Sequence, residues 1–136
     1  MDADTKNNRG VTPLLAAIGL RRQTVARLLL ARDDVNPTYQ VSDVPPPLYQ
    51  AVRYNCPEIV KILLTKDGVD VNTTTWQGHG PLWKAAVSQN QAVVELLLEA
   101  GADPNRPENV ASPSVLWQGR GFAEIQEYIA KWQVPL

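Results

Sequence analysis

The sequence predicts an all-α solenoid: four helix-turn-helix repeats with intervening turn fingers, forming one domain over residues 1–136. Three observations carry this reading. Proline recurs in one slot, at Pro13, Pro47 and Pro81 with a spacing of 34 residues, and again at Pro113, 32 residues further on. After each proline comes a short apolar segment and then a longer one, as in "PLLAAIGLRRQTVARLLL", "PLYQAVRYNCPEIVKILL", "PLWKAAVSQNQAVVELLL" and "PSVLWQGRGFAEIQEYIA". Between the units lie stretches rich in Asp, Asn, Gly, Pro and Thr, such as "DGVDVNTTTWQGHG" at 67–80, whose composition favours turns. Helices of about eight residues do not persist alone in water, so the units must stack on one another.

The elements follow in order. A proline at the first helical position costs nothing, because its missing N–H would have had no partner there. Helix A of each unit is therefore expected over about 13–20, 47–54, 81–88 and 113–120, and helix B over about 23–31, 57–65, 91–99 and 123–131. The repeats span about 7–37, 41–72, 75–105 and 107–132. In helix B the apolar positions recur at helical spacing: Val25, Leu28 and Leu29; Ile59, Ile62 and Leu63; Val93, Val94, Leu97 and Leu98; Ile125, Tyr128 and Ile129. Pro57 opens its helix B by the same device that Pro47 uses for helix A.

Composition narrows the functional classes. Hydrophobic residues at 44% and charged residues at 20% are enough to build a core. The net charge of −1 lacks the basic excess of a phosphate-binding protein, so nucleic acid and anionic membrane are not expected partners. Cys56 is the single cysteine, which excludes an intramolecular disulfide framework and suits a reducing compartment. The polar start "MDADTKNNRG" has no secretory core, and no run approaches the roughly 18 apolar residues of a membrane span. The expected location is cytoplasmic or nuclear, and Asn72-Thr73-Thr74 reads as a chance sequon. Metal or catalytic chemistry needs partners that are missing: there is no HExxH, no paired cysteine and no second histidine beside His79. "QGRG" at 118–121 lacks the Lys-Ser/Thr of a phosphate loop. No cofactor, metal ligand or catalytic residue is assigned.

With these segments in hand, the chain resembles an array of ankyrin repeats, whose unit of about 33 residues begins T-P-L-H-x-A. The matching starts are Thr12-Pro13-Leu14-Leu15-Ala16-Ala17, Pro46-Pro47-Leu48-Tyr49-Gln50-Ala51, Gly80-Pro81-Leu82-Trp83-Lys84-Ala85 and Ser112-Pro113-Ser114-Val115-Leu116-Trp117. The ending "LLLEAGADPN" at 96–105 is the family's, and "LLLARDDVNP" and "ILLTKDGVDVN" are similar to fungal-type variants. The family threonine caps helix A, and losing such a cap costs about 1 kcal/mol, so Pro46 and Gly80 are departures, Gly80 the smaller. Val44 and Val110 replace a turn glycine, which implies irregular fingers. Leu15, Tyr49, Trp83 and Val115 hold the histidine slot, so the family's loop-linking hydrogen bonds from that side chain are absent.

The resemblance implies a protein-binding module acting through its concave face, a monomer with a protein partner. The implied surface consists of finger residues and the last residues of helix A. It takes Arg9, Val11 and Leu20 from the first repeat, and Asp43, Tyr49, Arg53 and Tyr54 from the second. The third contributes Trp76, Gln77, His79 and Trp83, and the fourth Arg120. Trp, Tyr and Arg are the types enriched at binding hot spots, so Arg53, Tyr54, Trp76 and Trp83 are the expected anchors. Packing between repeats is an equal reading for Trp83, while Trp117 and Trp132 read as covers for the open end of the stack. The polar first helix B and the closing "WQVPL" favour a finished unit. The alternative is a small-molecule or catalytic site in an aromatic-lined groove using His79, Asp43, Arg53 and Tyr54. An open, wet groove weakens acid–base and electrostatic catalysis, so binding without chemistry is favoured. An architectural spacer is a third reading.

Overall fold

The computed structural model describes Lys6 and residues 10–39, 44–73, 75, 79–88 and 90–102. These residues form six helices in three pairs: α1 (Pro13–Gly19) and α2 (Gln23–Leu30), α3 (Pro47–Arg53) and α4 (Pro57–Leu64), α5 (Pro81–Val87) and α6 (Gln91–Glu99). Each begins where the sequence pattern places it. The unit expected at 107–132 lies outside the described residues. Within each pair the helices pack against each other; α1, α3 and α5 stack in one row and α2, α4 and α6 in the other. The result is an all-α solenoid.

Local chemistry sets the helix limits. Proline occupies the first turn of α1, α3, α4 and α5. The cap follows the sequence reading: Thr12 Oγ1 accepts from the Leu15 N–H at 3.3 Å, whereas Pro46 and Gly80 in the same slot supply no side-chain cap. Helix A ends in a residue with positive φ, Arg21 at 56° and Asn55 at 55°. That turn lets the Arg22 N–H reach the Ala17 carbonyl at 2.8 Å and the Cys56 N–H reach that of Ala51 at 2.9 Å. The Asn90 N–H makes the same bond to the Ala85 carbonyl at 3.0 Å. This is the Schellman closure, which satisfies carbonyls at the helix end.

The core repeats with the same period. Leu14, Leu48 and Leu82 are buried in one slot of helix A, and Ala17, Ala51 and Ala85 in the next. Between the rows they meet Ile59, Val60 and Leu63 of α4 and Val93, Val94, Leu97 and Leu98 of α6 in one continuous cluster. The first helix B departs from expectation. Val25 is 47% and Leu28 65% exposed, and α2 buries Ala26 and Leu30 instead. The equivalents of Val25, Ile59 and Val93, are fully buried. In α4 and α6 a preceding helix B lies alongside; α2 has none among the described residues.

The fingers are tied by side chains. Asn36 Oδ1 accepts from the Thr38 N–H and Asp70 Oδ1 from the Asn72 N–H, both at 2.9 Å and 34 residues apart. These are Asx turns at matching points of two repeats. Gly10 has φ 78°, while Val44 in the same slot is not among the residues with positive φ, so its finger departs from the glycine geometry as the substitution implies.

Candidate partner-binding surface

Helix A ends line up along the stack. Leu20 caps α1 and is 70% exposed; Arg53 closes α3 and is exposed, with half-buried Tyr54 as its C-cap; Val87 closes α5 and is 43% exposed. The Arg53 guanidinium lies over the Tyr54 ring, 5.3 Å from its centroid, a cation–π contact that holds both side chains beside one another. Two exposed apolar groups thus bracket a rigidified Arg–Tyr pair in successive repeats.

The third finger brings a second aromatic element. Thr75 N donates to the His79 carbonyl at 2.8 Å and His79 N to Thr75 Oγ1 at 3.4 Å, which ties these two residues together. This sets the His79 ring parallel to Trp83, with centroids 3.7 Å apart and 8° between planes. Trp83 is half-buried and packs against the core cluster. That packing accounts for the buried part of its surface.

Tyr49 differs from the expectation. Its residue surface is 8% exposed, so the ring is buried instead of lying open to a partner. Burial pushes its phenol above the ordinary value, with Arg53 one turn on pulling it back. Val11 is half-buried. Arg9, Asp43, Trp76, Gln77 and Arg120 lie outside the described residues. Cys56 is fully buried and its thiol donates to the Tyr54 carbonyl at 3.7 Å; burial raises its pKa against the pull of Arg21. It is a small core group.

Two clefts lie among the described residues. A cleft of about 190 Å³ lies among Pro37, Pro46, Leu48, Gly68 and Val69, and a wider one of about 500 Å³ between α2 and α4. Neither includes His79, Arg53, Tyr54 or Trp83. Among the described residues no group of three or more His, Cys, Asp or Glu could hold a metal ion, and no helix is long and apolar enough to cross a membrane. One feature of this side escaped the sequence: Gln50 Oε1, on α3, is buried with no hydrogen-bond partner among the described residues. Its slot in the other repeats holds Ala16 and Lys84, so periodicity gave no sign of it.

A repeating helix pair of this geometry, stacked in two rows, defines a helical-repeat solenoid. Residues 34–108 match the family model for ankyrin repeats in three copies, and the chain belongs to the ankyrin repeat family. It is 33% identical over 107 residues to the ankyrin repeat and SAM domain-containing protein 6 of Danio rerio, covering 79% of this chain and 14% of that one. It is 42% identical over 80 residues to the mitochondrial disaggregase of Homo sapiens, covering 59% of this chain and 11% of that one. The chain thus spans a small part of the length of these relatives. Among solved structures it is similar to the human ASB11 ankyrin repeat domain, with a TM-score of 0.72 and 30% identity over 89% of this chain and 54% of that one.

Proposed function

We propose that this chain binds a protein partner through the side formed by its fingers and helix A ends, the concave face of such arrays. Ankyrin repeats are in general protein–protein interaction modules. The observation that carries the finer reading is the row of exposed Leu20, Arg53 and Val87, with half-buried Tyr54 beside Arg53. Exposed large apolar groups gain by leaving water, and an aromatic ring already held by a cation loses little entropy on docking. His79 and Trp83 extend the row at the third repeat, with Val11 at its edge. Arg9, Asp43, Trp76, Gln77 and Arg120 complete it in this reading, within a single four-repeat domain that acts as a monomer in the cytoplasm or nucleus.

The test is co-purification from the native cell's lysate, comparing wild type with a Leu20→Glu/Tyr54→Ala/Val87→Glu variant of unchanged helicity. A protein retained by the first and lost by the second supports this face. A partner set that is identical for both overturns it, and no retained protein at all favours the spacer reading.

A further inference from the structure

A second surface lies on the other side of the stack, away from the face just described and independent of it. One slot of helix B is apolar in all three described repeats: Leu28, and Ile62 and Leu96, which are half-buried against the core. Leu28 is 65% exposed. Between α2 and α4 this slot opens into a groove of about 500 Å³ floored by Leu28, Leu30, Ala31 and Ile62, a volume within the range that admits several aliphatic side chains.

Charge distinguishes this groove from the rest of the row. Arg27 and Lys66 stand among its lining residues, and that lining contains no carboxylate among the described residues. α2 has no acidic residue; nearby, Glu58 pairs with Lys61 at 3.5 Å and Asp34 with the Arg32 fork at 2.8 Å, while Asp33 is exposed and outside the groove lining. Asp67 beside Lys66 is exposed. The sign does not persist along the stack, because the slot of Arg27 and Lys61 holds Glu95 in α6 and that of Lys66 holds Ala100. Arg27 in the last turn of α2 and Lys66 just past α4 also suit the negative ends of their helices. That accounts for their sign, but not for an exposed leucine and a groove between them.

We infer that the α2–α4 groove docks a short acidic segment of another protein, one that places an aliphatic side chain between Asp or Glu residues. The aliphatic group covers Leu28 and Ile62; the carboxylates meet Arg27 and Lys66. Such complementarity governs register and approach more than total affinity, so binding is modest and sensitive to salt.

The experiment selects a random peptide library on the full chain, then measures the consensus peptide against Arg27→Glu/Lys66→Glu, against Leu28→Glu, and against the Leu20→Glu/Val87→Glu control. These substitutions lie on the surface, and far-ultraviolet circular dichroism verifies the fold of each. The expected consensus is aliphatic flanked by acidic residues. Its affinity falls about tenfold in the double charge reversal and in Leu28→Glu, weakens further in about 0.5 M salt, and is unaffected by the control. A charge-swapped peptide regains binding to the double reversal. A neutral or basic consensus, an acidic one indifferent to these substitutions, or no enrichment above an unrelated protein overturns the inference. So does sedimentation showing that the groove pairs two copies of the chain. A failure of the finger-side variant in co-purification leaves this result untouched, because the control carries that surface.

Discussion

The Asn90 side-chain amide donates to Asn55 Oδ1 at 2.9 Å, joining the helix A–helix B turns of the second and third repeats. The same side chain accepts from the Val93 N–H at 3.2 Å and so caps α6. Asn55 can offer its oxygen there because it sits at φ 55°, a conformation asparagine adopts more readily than most residues. The equivalents of Asn90 are Arg22 and Cys56, which provide no side-chain cap for α2 or α4. The third helix B is therefore the one of the three that is both capped and laced to its neighbour by a side chain.

Asn90→Ala removes both bonds. The expected loss is about 1–2 kcal/mol, the cost of a cap together with a partly exposed hydrogen bond. Urea unfolding measures it, with an unchanged slope as the sign that the denatured state is unaffected. A loss below a few tenths would mean that water replaces the side chain at both ends.

Gly80→Thr should stabilise the protein. Gly80 caps α5 at φ −105° and ψ 175°, close to Thr12 at −83° and 164°, so the backbone already has the shape a threonine cap uses. A side-chain acceptor gains a few tenths of a kcal/mol over glycine. The stiffer unfolded chain adds about 0.4–1 kcal/mol. The midpoint of urea unfolding is expected to rise, and a fall would show that the finger leaves no room for the added atoms.

Ala51→Leu tests the close approach of the helices. Ala17, Ala51 and Ala85 share a slot with 5%, 0% and 0% exposure, and their carbonyls accept the bonds that close helix A. Extra methylenes there force displacement of the facing helix, at a cost of about 1–3 kcal/mol. Calorimetric melting reads this directly.

Much of this fold was legible because packing dictated it. Prolines at a fixed slot fixed the starts of α1, α3 and α5, and the invariant small and large positions of the A helices followed from the 34-residue period. What the period could not reveal was how the first unit differs. Val25 and Leu28 match buried or half-buried residues in the later repeats, yet burial depends on a neighbour that the period itself does not supply. The surface was less legible still. Tyr49 looked like an open aromatic, but the folded chain leaves only 8% of its surface exposed. The Arg53–Tyr54 contact and the Asn55–Asn90 bond depend on rotamers and on a left-handed turn, neither of which a residue pattern encodes.

Alkaline pH should destabilise the fold. Burial raises the Cys56 thiol and, against the pull of Arg53, the Tyr49 phenol. Both groups hold their protons more tightly when folded, so their contribution is intact below the unfolded-chain pKa values of about 8.5 and 10. It is lost as pH rises through the higher folded values. Stability measured in urea is expected to decline above about pH 9. Tyr49→Phe removes the later part of that decline, and a double variant with Cys56→Ala removes most of the rest. The variants are compared by slope with pH, because Cys56→Ala also removes packing.

The parallel rings of His79 and Trp83 give the sharpest local readout of the third finger. Stacked aromatic pairs contribute about 0.5–1.5 kcal/mol beyond their buried area. His79→Ala is expected to cost that amount and to expose Trp83 to water, shifting its emission to longer wavelength. His79→Phe keeps a ring over the indole and should restore most of the loss. The tryptophan signal is isolated by comparison with Trp83→Phe in each background, since the chain has 4 tryptophans. If His79→Phe behaves like His79→Ala, the ring itself is not what matters. The hydrogen bonds of the finger backbone, Thr75 to His79 and back, then hold Trp83 in place on their own.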